Sequence, residues 1–135
     1  MNSQPTIGPD EFVLRRIHKN HYDASQPFAV QPAAFRPSPV DFGGLSVFRE
    51  SLTTPEEVVA GRTPAEYYIV RLSVQSLHEL QLTVVADEQP TGPRGHALIP
   101  ELGLTAYQEN KQAFKSVLVR LARIASQSVV CRSTP

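Results

Sequence analysis

The chain has 135 residues, a formal net charge of zero, 41% hydrophobic residues and 19% charged ones, enough for one folded domain and far from the composition of a disordered chain. No apolar run reaches the roughly 18 to 20 residues of a membrane-spanning helix, and Met1 to Thr6 lacks the basic and apolar regions of a secretion signal, so a cytoplasmic protein without membrane partners is expected. The single cysteine, Cys131, excludes an internal disulfide framework and a thiolate metal cluster.

Residues 1–9 read as a flexible N-terminus, residues 10–128 as a single domain and residues 129–135 as a flexible tail. Phe12 to His18 alternates as a strand, with Val13, Arg15 and Ile17 on one face and Phe12, Leu14, Arg16 and His18 on the other. Prolines at 27, 32, 37 and 39 exclude continuous helix or central strand from 24 to 40 and predict a long ordered loop. Leu45 to Arg49 reads as a strand entered through Gly43-Gly44, where missing side chains permit a close backbone approach.

Thr54-Pro55-Glu56-Glu57 announces a short helix with a hydroxyl cap, a proline in the first turn and acids near the positive dipole end, stopping near Gly61. Tyr67 to Leu72 has the composition of a strand. Ser73 begins one or two helical turns that turn Val74, Leu77 and Leu80 inward. Leu82 to Ala86 and His96 to Ile99 follow as strands, joined by the turn-rich Asp87 to Gly95. Residues 105–128 form a long helix, with Thr105 and Gln108 as a capping box and Phe114, Val117, Leu118, Leu121, Ile124 and Ala125 as its apolar stripe. The order predicts an α+β domain: a mostly antiparallel sheet of about five strands, a long C-terminal helix packed on it and a proline-rich ordered loop.

Charge is unevenly spread. Residues 51–104 hold three arginines against seven carboxylates, a net −4, and residues 105–135 hold five basic residues against Glu109, a net +4. The basic helix either lies across its own domain's acidic surface or offers Lys111, Lys115 and Arg120 to a protein partner. The neutral total argues against non-specific nucleic-acid binding.

The densest polar chemistry falls between Leu14 and Val47. His18 and His21 are potential metal ligands, with Asp23, Asp41 or His96 to complete the set, but residues three apart on a strand face opposite sides, and no metal or other cofactor is assigned. Arg15, Arg16 and Arg36 have the donor geometry for phosphate or carboxylate. The plainer account is that arginines on an edge strand pair with Asp10, Glu11, Asp23 or Glu50. Ser46 and Ser51 lack the G-x-S-x-G setting of a hydrolase nucleophile. By fold-level analogy with ADP-ribosyltransferase-like and RES-type toxins, Arg16 or His18 would touch a dinucleotide, Ser46 would line the cleft, and Glu50 or Glu101 would polarise the ribose.

Leu14-Arg15-Arg16-Ile17-His18, Ala34-Phe35-Arg36-Pro37-Ser38, Gly44-Leu45-Ser46-Val47 and Gly95-His96-Ala97 together resemble a set of short bacterial proteins with no established activity. The resemblance spans roughly residues 12–100. It implies a bacterial cytosolic protein and, from the size and type of such proteins, a place in a multi-protein locus such as a defence or toxin–antitoxin system. The first functional expectation is therefore a small non-catalytic binding or accessory subunit. The second is an enzyme acting on a nucleotide or phosphorylated small molecule through Arg16, His18, His21, Arg36, Asp41 and His96, which requires those side chains to converge.

Overall fold

The computed structural model describes residues 6–37, 43–63 and 66–132. Six strands form one antiparallel sheet: β1 (Phe12–His18), β2 (Leu45–Arg49), β3 (Tyr67–Ser73), β4 (Val85–Ala86), β5 (His96–Ile99) and β6 (Val129–Arg132), in the spatial order β4-β5-β2-β1-β3-β6. Among the described residues four α-helices accompany it: α1 (Pro55–Val58), α2 (Val74–Glu79), α3 (Leu104–Glu109) and α4 (Lys111–Ser126). The fold is α+β, with one strand more than expected.

The extra strand is β6. Val129–Arg132, within the segment 129–135 expected to be a flexible tail, pairs instead with β3 through Tyr68↔Arg132, Ile69↔Cys131 and Val70↔Val129. An unpaired flank of β3 would leave backbone donors and acceptors open to solvent or to another chain, and β6 occupies them. The opening segment is likewise anchored from Thr6 on: Ile7 is buried, its N–H donates to Val84 O at 2.8 Å, and Thr6 bridges to Val85.

Central β1 is buried on both faces, as its alternation requires. Val13 and Ile17 join the larger core with Leu45, Val47, Val70, Leu72, Ala97 and Ile99, beneath Val74 and Leu77 of α2 and Leu118, Leu121 and Ala125 of α4. Leu14 joins Phe48, Ile69 and Val58 of α1 in a smaller cluster. The proline-rich loop is held down by Phe35, which is fully buried at the end of a 3₁₀ turn, Pro32–Phe35. Burying that ring contributes about 2–3 kcal/mol.

Local signals set most of the element ends. Thr54 Oγ1 accepts from Glu57 N–H at 3.2 Å, and Ser73 Oγ accepts from Ser76 N–H at 3.3 Å. The long helix departs from expectation. Gly103, not a Thr105 capping box, precedes it, and the helix breaks at Asn110, whose ψ of 36° and side-chain bond to Ala106 O compete with helical geometry. Only Val85–Ala86 of the expected strand 82–86 is a strand.

Two glycines lie where the backbone comes close to a neighbouring strand. A Cβ on Gly44 would lie 2.8 Å from Ile99 O. Gly95 has φ +83°, and a Cβ there would meet Leu52 Cβ at 3.0 Å and Arg49 O at 3.1 Å. Gly95→Ala is therefore expected to destabilise the fold by about 1–3 kcal/mol, from left-handed strain together with contact against backbone. Urea unfolding of the variant beside the parent protein checks this, and an unchanged midpoint would contradict it.

Candidate anion-binding cleft

The cleft begins where the sheet parts. β1 pairs with β3 along all seven of its residues, whereas its ladder with β2 consists of Val13↔Arg49 and Leu14↔Phe48 alone. Beyond Leu14 the guanidinium of Arg15 takes the place of the missing ladder. Its Nη1 donates to Ser46 O at 2.7 Å, and its Nε and Nη2 donate to Ala34 O at 3.1 and 2.9 Å. One side chain thus ties β1, β2 and the proline-rich loop together.

A cleft of about 430 Å³ opens beside this junction, lined on its polar side by Arg15, Arg16, Arg36, Arg62, His18 and His21, with Ser46, Phe48 and Tyr67 also on the wall. That volume lies within the range of small-molecule sites. No lining residue among those described carries a carboxylate. Arg16 Nη1 donates to Val58 O at 2.6 Å, and its guanidinium lies 5.3 Å from the Phe48 ring centre. Burial first, and then the neighbouring Arg62, push the Arg16 guanidinium below its usual value, although arginine stays cationic at neutral pH. His18 Nε2 meets Glu66 Oε1 at 3.2 Å and its ring packs edge-on against Tyr67. Arg36 is exposed at the rim; its backbone N–H donates to Ala33 O at 3.2 Å, and among the described residues its side chain makes no ion pair.

The edge-strand account of the arginines is corrected by this arrangement. β1 is central and not an edge, and three of the four acids proposed as partners are engaged elsewhere. Glu11 pairs with Arg49 at 2.9 Å, Glu50 with Arg71 at 2.8 Å, and Asp23 accepts from Ser25. The transferase analogy loses its acid in the same way. Glu50 is held by Arg71, Glu101 accepts from Thr83 N–H at 2.9 Å and from its hydroxyl at 2.6 Å, and neither lines the cleft.

Of the residues singled out from sequence, Arg16, His18, His21 and Arg36 share the cleft, and Ser46 lines it as expected. His96 is not on its wall but contacts Ser46, with Nε2 3.0 Å from Oγ. Asp41 lies outside the described residues. No three histidine, cysteine, aspartate or glutamate side chains among the described residues are grouped to hold a metal ion. Lys111 and Lys115 are exposed on α4 and line a neighbouring groove of about 310 Å³ that shares Arg36 with the cleft, and Arg120 is exposed farther along the helix. None of the three forms a salt bridge with the acidic middle of the chain among the described residues. Arg62 and Tyr67 went unrecognised in the sequence because nothing in a surface turn or at a strand's start distinguishes a residue that folds over a distant strand. Among the described residues, no helix is long and apolar enough to cross a membrane.

No protein-family model, curated protein or solved structure matches the chain.

Burial first, and then the charges of His18, Arg15 and Arg36, hold the His21 imidazole below its ordinary value. The unfolded chain therefore binds more protons than the folded protein near pH 6.5, so the stability owed to neutral His21 is present above that pH and lost as pH falls through it. His21→Gln is expected to flatten the fall in urea midpoint between about pH 7 and pH 5. Parallel pH profiles for variant and parent would contradict that assignment.

Proposed function

We propose that this chain binds a small phosphate-bearing ligand, a nucleotide or a phosphorylated metabolite, in the arginine cleft and acts on it as an enzyme. The observation that carries the reading is the gathering of four arginines and two histidines around one concavity with no carboxylate among its described lining residues. Like charges gathered in a partly desolvated cleft favour an anion bound among them. Guanidinium groups offer planar, paired donors that match phosphate oxygens.

A non-catalytic accessory subunit remains the second reading, carried by a different observation. Lys111, Lys115 and Arg120 are exposed and unpaired among the described residues. Exposed lysines on a helix are common on any surface, whereas four arginines lining one cavity are not. The cleft therefore takes precedence. The bacterial resemblance and a place in a multi-protein locus are compatible with either reading.

Calorimetric titration with inorganic pyrophosphate, which presents the anionic chemistry without a base or sugar, tests the choice. Arg36→Ala is expected to weaken binding about tenfold or more, the effect of losing one charge-assisted contact. Exchanging Lys111 and Lys115 for glutamate is expected to change it far less. Because a bound anion favours protonated His21, binding should take up protons near pH 6.5, visible as a heat that depends on the buffer. Absence of pyrophosphate binding, together with a protein partner that is lost on the lysine exchange, would establish the accessory-subunit reading instead.

A further inference from the structure

Ser46 does more than line the wall of the cleft. Its Oγ lies 3.0 Å from His96 Nε2, and His96 Nδ1 lies 2.9 Å from Asp87 O and 3.2 Å from Asp87 Oδ2. Both groups facing Nδ1 are acceptors, so Nδ1 carries the proton and Nε2 presents its lone pair to the serine hydroxyl. That is the tautomer in which a histidine removes a proton from serine.

The sheet places the three residues. Phe48 pairs with His96 and Ser46 with Leu98, so Ser46 and His96 are diagonal neighbours on one face of the β2–β5 ladder. The β4–β5 ladder, Val85↔Leu98 and Ala86↔Ala97, continues into Asp87, whose N–H donates to His96 O at 2.9 Å. Gly95, immediately before the histidine, donates its N–H to the Glu88 carboxylate and accepts from Arg49 N–H. The Phe48 ring packs edge-on against the imidazole at 5.4 Å. Behind the serine, the Arg15 bond to Ser46 O fixes the backbone. The hydroxyl thus stands between a base held in the sheet and a cleft rich in arginine.

We propose that Ser46 is a catalytic nucleophile toward a phosphate ester bound in this cleft, with His96 as its general base and Asp87 as the residue that positions His96. The proposal rests on the anion-binding reading of the cleft for its substrate class. Ser46 Oγ forms a bond to phosphorus and passes its proton to His96 Nε2 while the ester P–O bond breaks. The departing alkoxide takes that proton and leaves as the alcohol. A water molecule then attacks the phosphoserine, giving a proton to Nε2, and Ser46 Oγ recovers it as the Oγ–P bond breaks. The sum is phosphate ester plus water giving alcohol plus inorganic phosphate, with arginine donors facing the charge on the transferred group.

The test uses a fluorophosphonate probe on the full chain, since its phosphorus accepts an activated serine oxygen with loss of fluoride. One covalent adduct is expected, mapped to Ser46 by peptide mass spectrometry and absent in Ser46→Ala. His96→Gln, which retains a polar side chain but no base, should slow labelling at least about a hundredfold. Asp87→Asn should slow labelling by loosening the hold on Nδ1, and Asp87→Glu, which keeps an acceptor there, should restore part of the rate. No Ser46 adduct in the folded parent protein, or an equal labelling rate in a His96→Gln variant that retains the parent's circular dichroism, would overturn the proposal. Pyrophosphate titration separates the two readings: binding without labelling removes the nucleophile and leaves the anion site, and labelling without binding does the reverse.

Discussion

Much of this molecule depends on one guanidinium. Where β1 and β2 stop pairing, Arg15 supplies the donors that a continued ladder would have supplied, to Ser46 O on one side and Ala34 O on the other. Buried carbonyls without donors cost roughly 1–3 kcal/mol each, so an opening between central strands needs such a substitute. A charged donor gives shorter and stronger bonds than a neutral amide, and three of them from one planar group fix three segments at once. The opening therefore persists as a shaped cleft, with the 3₁₀ turn carrying Phe35 as one wall and β2 as the other. The Arg15 guanidinium also lies 5.8 Å from the centre of the Phe35 ring, so the loop's apolar anchor and its polar anchor are adjacent.

The electrostatics of the cleft follow from where the acids are spent. Glu11 and Glu50 neutralise Arg49 and Arg71 on neighbouring strands, and Glu101 satisfies Thr83. Arg71 also sits 3.6 Å from the centre of the Phe12 ring, which fixes that pair at the other end of β1. Positive charge is thus compensated at one end of the central strand and accumulated at the other, where His18 with its Glu66 partner forms the rim. A single strand, F-V-L-R-R-I-H, divides in this way into a structural half and a half that faces the cleft.

How far the sequence foretold this depends on the range of the forces involved. Strands β1, β2, β3 and β5, the Thr54 cap and the helical turn that follows Ser73 all follow from local pattern, and they appear as expected. β6 did not, because Val-Val-Cys-Arg after a long helix looks like a frayed end until β3 is known to have an open flank. Arg16, His18, His21 and Arg36 were legible as a cluster because they lie close in sequence on residue types suited to anions. The Ser46, His96 and Asp87 arrangement was not. Its members are brought together by the β2–β5 and β4–β5 registers, and no short motif encodes a diagonal across one ladder and an opposition across the next.

The central position of β1 also sets the order in which this chain can fold. Its full-length partner is β3, with Phe12 paired to Ser73 about 60 residues downstream, so the strand bearing the cleft arginines cannot complete its ladder until more than half of the chain is available. Loop closure over that distance must precede the contacts that compensate it, which places the protein among slower, topology-limited folders rather than with helical bundles. During that interval the apolar faces of β1 lie uncovered, and its consecutive arginines act as gatekeepers, discouraging association between nascent chains through the same charges that later surround the cleft.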